Sequence, residues 1–209
     1  MKVGIIGANG KSGSLIAKEA LERGLDVTAI VRNSNKVSGL PVIEKDIMSL
    51  TYEDLKGFDV VIDAFATWTP ETLVLHQLTL KHLCDILEGS NIRLLVVGGA
   101  GSLYVNTEHT MQVKDTEGFP EDFKPLANNM SLALEALRER DDVRWTYLSP
   151  AADFVADGER TGEYILGGEE FIVNSNGVSQ ISYADYAIAM VDEIINANNI
   201  NKRFAVIAK

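Results

Sequence analysis

The segment "GIIGANGKSG", from Gly4 to Gly13, decides how the rest of this 209-residue chain is interpreted. An apolar run ends at Ile6, glycines follow at positions 7, 10 and 13, and a helical pattern starts at Ser12. An ordinary loop needs one or two glycines. Three glycines at three-residue spacing indicate a backbone that is shaped to let another group come close.

The rest of the chain alternates between short apolar runs and helical patterns. Apolar runs predict strands at residues 2–7, 25–31, 41–47, 59–65, 92–100 and 143–149. Helical patterns cover residues 12–24, 51–57, 70–90 and 124–140. Because each strand is almost continuously apolar, the pattern predicts a Rossmann-like, doubly wound parallel α/β sheet with helices on both faces. We expect one domain over residues 1–209, in which residues from about 150 onward form a small C-terminal extension on the substrate side.

Composition and charge exclude several classes of partner. The formal net charge is −11, and Cys84 is the single cysteine. Nucleic acids and anionic membranes attract basic faces, so neither is expected as a partner. The chain has no apolar run of the roughly 18 residues that a membrane helix needs. Without a possible intrachain disulfide or a signal-peptide pattern, we expect a cytoplasmic monomer or homodimer that acts on a small molecule.

In this setting the glycine turn predicts a dinucleotide site. The turn joins the first strand to the first helix of a βαβ unit, where the dinucleotide fingerprint occurs. The first glycine allows a tight turn, the second leaves room for a pyrophosphate, and the third lets the helix pack on the strand. The alternative is an ordinary tight turn. The predicted phosphate-binding residues are Gly7, Asn9, Gly10, Lys11, Ser12 and Gly13.

The residue after the second strand favours NADP(H). An NAD site usually carries Asp or Glu there, which binds the ribose 2′-hydroxyl. Here Arg32 occupies the position, and no acid follows before Glu44. A guanidinium can pair with a 2′-phosphate, and Lys11 adds a second positive charge. We therefore predict NADP(H), with NAD(H) left open; the alternative is that both side chains simply point into water.

The spacing G-x-x-G-x-x-G resembles that of the extended and atypical short-chain dehydrogenases. The resemblance implies that Asp46 and the backbone of Ile47 contact the adenine. It also implies that the segment after the fourth strand, with Ala64 and Ala66, lines the ribose and pyrophosphate.

The catalytic motif usual in that superfamily, Tyr-x-x-x-Lys, has one match, Tyr52 to Lys56. This match precedes the fourth strand, whereas the motif belongs on the helix after the fifth, so we expect it to be accidental. The helical segment after the fifth strand, "KPLANNMSLALEALRER", contains no tyrosine. The standard mechanism of carbonyl reductases and sugar epimerases therefore lacks its acid.

Nearly the whole chain resembles the small atypical members: proposed NADH-flavin reductases, the flavin reductase/biliverdin-IXβ reductase group and NmrA-like proteins. The resemblance is carried by "GANGKSG", "AIVRN", "DVVIDAF", "VVGGAGSL", "WTYLSPAADF" and "ISYADYAIAMVDEI". It implies an oxidoreductase that reduces FMN, another flavin or a quinone-like acceptor with NAD(P)H. The alternatives are an NmrA-like regulator that only senses the dinucleotide, and an NAD-dependent epimerase or dehydratase. Hydride delivery from a stacked nicotinamide to a flavin needs proximity and orientation rather than a strong acid.

Candidate substrate contacts follow the fifth and sixth strands, because ligands bind at the carboxyl edge of such sheets. Ser102 would hydrogen-bond a substrate carbonyl and Tyr104 would stack on a flat ring; the alternative is a glycine-rich turn with an ordinary loop serine. Gly98, Pro150 and Ala151 are expected to lie beside the cofactor, with the Ala151 backbone meeting the nicotinamide. The segment 103–124 has no clear periodicity, which is typical of lids or disordered loops.

No metal site is predicted. His76 and His82 are six residues apart on one helical pattern and do not share a face well. We expect both of them and His109 to be structural, and Cys84 to be a core residue of the same helix.

Overall fold

The computed structural model describes all 209 residues and contains ten strands and five α-helices. The strands are β1 (Lys2–Ile6), β2 (Asp26–Val31), β3 (Val42–Glu44), β4 (Val60–Asp63), β5 (Arg93–Val97), β6 (Arg144–Ser149), β7 (Asp153–Val155), β8 (Tyr164–Gly167), β9 (Gln180–Ser182) and β10 (Lys202–Ala208). The helices are α1 (Lys11–Glu22), α2 (Tyr52–Leu55), α3 (Leu75–Leu87), α4 (Lys124–Arg138) and α5 (Tyr183–Asn196). Short 3₁₀ turns lie at Ser34–Lys36, Ile47–Ser49, Pro70–Thr72, Val113–Asp115 and Glu121–Phe123.

Eight strands form one sheet in the order β3-β2-β1-β4-β5-β6-β10-β8. All neighbours are parallel except β10 and β8, which run antiparallel. The chain order reverses between β1 and β4, which is where such sheets bind ligands. β7 and β9 form a separate two-stranded parallel sheet. The predicted doubly wound α/β fold is confirmed.

Two apolar layers hold the sheet between its helices. On one face, 24 buried residues form a core between the strands and the helices α1 and α5. On the other face, 19 buried residues form a core with α3 and α4. Because both faces are covered, strands such as β4 are buried at every position, which explains their continuous apolar character. None of the helices combines the length and the apolar character that a membrane span requires.

Several predicted boundaries need correction. The third strand ends at Glu44 rather than 47, because the side chain of Asp46 caps a 3₁₀ turn there. The predicted helix 70–90 is a 3₁₀ turn at Pro70–Thr72 followed by α3, and Gly89 has a positive φ of 67° just beyond its end. The fifth strand ends at Val97 because the glycine-rich turn begins at the next residue.

The sequence analysis assigned no strand after residue 149, and this omission was wrong. β10 lies between β6 and β8 in the main sheet, and α5 covers one of its faces. Residues after 150 therefore complete the core, and their contribution to the substrate side stays a prediction. One domain over residues 1–209 stays a prediction, supported by a sheet to which both ends of the chain contribute.

Candidate functional site

The glycine turn after β1 has a geometry that only small residues allow. Gly7 has a φ of +75°, and a Cβ there would lie 2.7 Å from the Ala64 carbonyl oxygen. A Cβ on Gly13 would lie 2.3 Å from the Gly7 carbonyl oxygen, so α1 packs directly on the turn. Gly10 is different, because its Cβ would meet only the Gly7 oxygen, at 3.2 Å, and its outer side is open. The first and last glycines thus close the turn, and the middle one leaves its surface accessible.

The start of α1 offers unused hydrogen-bond donors. Gly10 is the N-cap residue and has no capping side chain, and its carbonyl accepts from the Ser14 N–H at 2.9 Å. The N–H groups of Lys11, Ser12 and Gly13 donate no hydrogen bond within the chain. Asn9 is exposed at the tip of the turn. Free N–H groups at the positive end of a helix dipole form a natural site for a phosphate.

Arg32 follows β2, the strand next to β1, and is exposed without an ion pair or hydrogen bond. The next acid along the chain after Arg32 is Glu44, which accepts the Ser34 N–H at 3.0 Å, and the Ser34 contacts lower the pKa of its carboxyl. Lys11 likewise has no acidic partner. Two positive charges therefore remain uncompensated around the glycine turn.

The segment after β4 lies against the same turn. The Ala64 N–H donates to the Ile6 carbonyl at 3.1 Å, which joins the ends of β4 and β1, and Ala66 is exposed just beyond. Asp46, two residues after the end of β3, uses one carboxylate oxygen to accept the Met48 N–H at 2.9 Å, and Ile47 is buried. The adenine and ribose contacts of these residues stay predictions.

The ends of β5 and β6 are tied together. The Gly98 N–H donates to the Leu148 carbonyl at 2.9 Å, and a Cβ on Gly98 would lie 2.2 Å from the Tyr147 ring. This glycine is therefore required by packing. Pro150 and Ala151 are buried directly after β6, at the same carboxyl edge as the glycine turn. The structure thus brings the predicted cofactor residues to one edge of the sheet.

The two predicted substrate contacts already have partners within the chain. Ser102 is buried, and its hydroxyl accepts a hydrogen bond from Arg203 at 3.3 Å. Tyr104 stacks on His109 with ring centroids 4.5 Å apart, and Nε2 of His109 lies 2.7 Å from a carboxylate oxygen of Glu170. The long loop is therefore fastened to the segment after β8. A substrate role for Ser102 and Tyr104 stays a prediction.

The Tyr-x-x-x-Lys match lies at the opposite edge of the sheet. Tyr52 and Lys56 line a cleft of about 570 Å³ at the amino ends of β4, β5 and β6. Lys56 also pairs with Glu53 at 2.5 Å. This placement supports the interpretation that the match is accidental.

The histidines of α3 contact backbone carbonyls, as structural residues do. Nε2 of His76 donates to the Thr67 carbonyl at 3.1 Å, and Nε2 of His82 donates to that of Leu50 at 3.0 Å. Cys84 is buried, and burial raises the pKa of its thiol to about 12.

The sequence analysis missed a buried polar group beneath the carboxyl edge. A cavity of about 20 Å³ is lined by residues that include Asp63, Phe65, His76, Thr79, Met130 and Tyr147. Asp63 ends β4 and accepts the Phe65 N–H at 3.0 Å, and burial raises its pKa to about 6. Burial also lowers the pKa of His76 and raises that of Tyr147 to about 12. The available signal was Asp63, the acid that directly follows the apolar residues of "DVVID".

A phosphate-bearing ligand would find free donors and uncompensated positive charge at the switch point of a doubly wound sheet. Fold and site together thus define a dinucleotide-binding protein of Rossmann type. The sequence profile of NAD(P)H-binding domains matches residues 7–194, and the chain belongs to this family. Its cofactor is accordingly a nicotinamide dinucleotide.

Similar proteins come from several bacteria. YwnB of Bacillus subtilis strain 168 is 48% identical over 212 residues, which span 100% of this chain and 99% of YwnB. The structure of SP1627 from Streptococcus pneumoniae TIGR4, a proposed NADH-flavin reductase, has a TM-score of 0.98 and 49% identity over 100% of both chains. A proposed epimerase of Bacteroides thetaiotaomicron is 36% identical with a TM-score of 0.87, over 99% of this chain and 96% of the other.

Proposed function

We propose that the protein is an NADPH-dependent reductase of flavins or quinone-like small molecules. The observation that carries the proposal is the open glycine turn between two uncompensated cations, at an edge with no Tyr-x-x-x-Lys pair. The likeness to SP1627, itself a proposed NADH-flavin reductase, supports the same reaction class.

The residues divide the binding of the dinucleotide among them. The free N–H groups at the start of α1, with Lys11, would hold the pyrophosphate. Arg32 would pair with the 2′-phosphate, which favours NADPH over NADH. The remaining contacts fall to Asp46 and Ile47 at the adenine, to Ala64 and Ala66 at the ribose and pyrophosphate, and to Gly98, Pro150 and Ala151 near the nicotinamide.

The bound cofactor would supply a hydride, so the chain must orient the acceptor rather than protonate it strongly. The buried polar groups beneath this edge are consistent with a chain that orients the acceptor without acting as a strong acid. Tyr147 is buried and accepts the Gly99 N–H at 3.2 Å, with its pKa raised to about 12. Burial outweighs the nearby Arg203 and Arg138, which lower the pKa, so Tyr147 lacks the environment of an activated catalytic tyrosine.

A dinucleotide sensor without turnover is the second candidate. It is favoured by Ser102 and Tyr104, which are both engaged by residues of the chain itself. The same engagement leaves fewer free polar groups near the expected nicotinamide position. A sensor would bind NADPH and change nothing chemically.

Stopped-flow absorbance at 340 nm tests the choice directly. NADPH is mixed with the protein and either FMN or menadione, and the Gly10→Val variant serves as a control for uncatalysed oxidation. We expect protein-dependent NADPH loss with at least one acceptor. Flat traces with both, alongside NADPH binding by calorimetry, would replace the reductase with the sensor.

A further inference from the structure

Trp68 is the most exposed large apolar side chain of the protein. Its exposed fraction is 65%, whereas the other tryptophan, Trp145, is 4% exposed in the core. A tryptophan offers a large, rigid, flat surface, and leaving it in water forgoes the gain from burial. Single exposed apolar side chains are common, so it is the position of Trp68 beside the candidate cofactor site that points to a ligand.

The loop that carries Trp68 is held in place on both sides. The Thr67 carbonyl accepts a hydrogen bond from Nε2 of His76 at 3.1 Å, and the Thr67 hydroxyl contacts the Thr72 hydroxyl. The Thr69 hydroxyl lies 2.6 Å from the Thr72 hydroxyl, and the Thr72 hydroxyl also donates to the Thr69 carbonyl at 3.0 Å. The residues before and after the indole are thus fixed to one threonine, so the ring is presented from a built loop.

This loop starts at the candidate cofactor site. Ala64, hydrogen-bonded to the end of β1, contacts the space that a Gly7 Cβ would fill, and Trp68 follows four residues later. The Phe65 ring packs edge-on against the His76 ring, with centroids 5.6 Å apart. His76 therefore contacts both Thr67, which precedes the indole, and Phe65, which lines the cavity beneath the carboxyl edge. Trp68 therefore stands at the same carboxyl edge as the residues assigned to the dinucleotide.

We propose that Trp68 is the stacking platform for the electron acceptor, and that the acceptor is a flat polycyclic ring of the flavin type. The proposal rests on the reductase function proposed above. Aromatic faces prefer offset stacking on other π-systems, which suits an isoalloxazine and gives selectivity without a charged side chain. Trp68 lies two residues beyond Ala66, which is expected to contact the dinucleotide, so the test must follow both ligands: stacking on the acceptor leaves dinucleotide affinity unchanged.

The test measures binding without turnover, using FMN as the probe and NADP⁺ in place of NADPH. FMN affinity is followed by the polarisation of its own fluorescence, and NADP⁺ affinity by calorimetry. We expect Trp68→Ala to weaken FMN binding about tenfold, and Trp68→Phe to restore most of it, while NADP⁺ affinity stays within about twofold. Leu132→Ala, which removes a side chain 49% exposed on α4, is the matched control and should change neither.

Tryptophan emission gives an independent readout. FMN should quench the wild-type emission, and Trp68→Phe, which retains only the buried Trp145, should lose that quenching. Unchanged FMN affinity in Trp68→Ala overturns the platform and leaves the reductase function standing. The same result with a dimer that dissociates in the variant assigns the indole to a second copy of the chain instead. A wild-type protein that binds NADP⁺ but not FMN overturns the flavin platform, and the reductase function falls with it only if menadione is not reduced either. A Trp68→Ala variant that loses NADP⁺ affinity as much as FMN affinity also overturns the platform.

Discussion

Replacing Asp63 by asparagine should stabilise the protein at neutral pH. The carboxyl is 5% exposed, and its one hydrogen bond within the chain comes from the Phe65 N–H at 3.0 Å. No cation contributes to its titration, so burial raises the pKa from the ordinary 3.8 to about 6. The asparagine side chain would keep an oxygen that accepts the same N–H and would carry no charge at any pH.

The size of the effect follows from the two pKa values. A gap of about 2, at about 1.4 kcal/mol for each pKa unit, corresponds to about 3 kcal/mol as an upper value. Between about pH 4 and pH 6 the folded protein keeps a proton that the unfolded chain has released. The free energy of unfolding therefore falls as the pH rises through this window, and the full penalty is present above pH 6. The variant lacks this penalty, so its advantage should vanish near pH 4.

Urea denaturation followed by circular dichroism measures the difference at pH 4.5, 6.0 and 7.5. Glu71→Gln is the matched control, because Glu71 is exposed and unpaired and its removal changes the net charge by the same amount. We expect an advantage for Asp63→Asn that grows with pH and none for the control. A variant that is less stable at pH 7.5, or a difference independent of pH, would refute the reasoning and mean that the folded protein stabilises the carboxylate.

Three further predictions, which use four substitutions, test the candidate site. Gly10→Val should abolish dinucleotide binding and preserve the fold, because the valine side chain would fill the open side of the turn. Circular dichroism checks the fold, and a thermal-shift assay with NADPH checks binding. If NADPH stabilises the variant as much as the wild type, the phosphates bind elsewhere. Arg32→Ala should weaken NADPH binding about 10- to 150-fold and NADH binding little, because a charge-assisted contact to phosphate is worth about 1.5–3 kcal/mol. Calorimetric titration with both nucleotides measures the two losses. Equal losses of affinity would contradict the 2′-phosphate role. Tyr52→Phe and Lys56→Ala should leave steady-state turnover within about threefold of the wild-type rate, because both residues lie at the amino ends of the strands, opposite the candidate site. A collapse of activity with NADPH affinity intact would move the catalytic site to those ends.

The sequence predicted the sheet up to β6 because those strands are apolar on both faces and alternate with helices. It did not predict β8 and β10, and the reasons differ between the two strands. β8 is only partly buried, at Tyr164 and Gly167, and shows no alternation; it is defined by its antiparallel register with β10. β10 follows α5 and is buried from Arg203 to Ile207, with an apolar run like those of the predicted strands, so its local signal was present in the sequence and was overlooked.

The candidate site likewise has some features that the sequence predicts and others that it does not. The roles of Gly7 and Gly13 are local, since both glycines close one turn, and the spacing alone predicts them. The surroundings of Ser102 are set by Arg203, which is 101 residues away and lies on an unpredicted strand. The burial of Asp63 similarly depends on how α3 and α4 cover the sheet, which no local pattern encodes.

The overall charge sharpens the argument for the glycine turn. A chain with a net charge of −11 repels an anionic dinucleotide over long distances, although salt screens this repulsion beyond about 8 Å. Affinity must then come from contacts at hydrogen-bond distance, where screening is weak. The free N–H groups of α1, Lys11 and Arg32 would supply them at one edge of the sheet, because no acid of the chain pairs with either cation. In a protein this acidic, two unpaired cations beside open backbone donors would offset the long-range repulsion of an anionic cofactor.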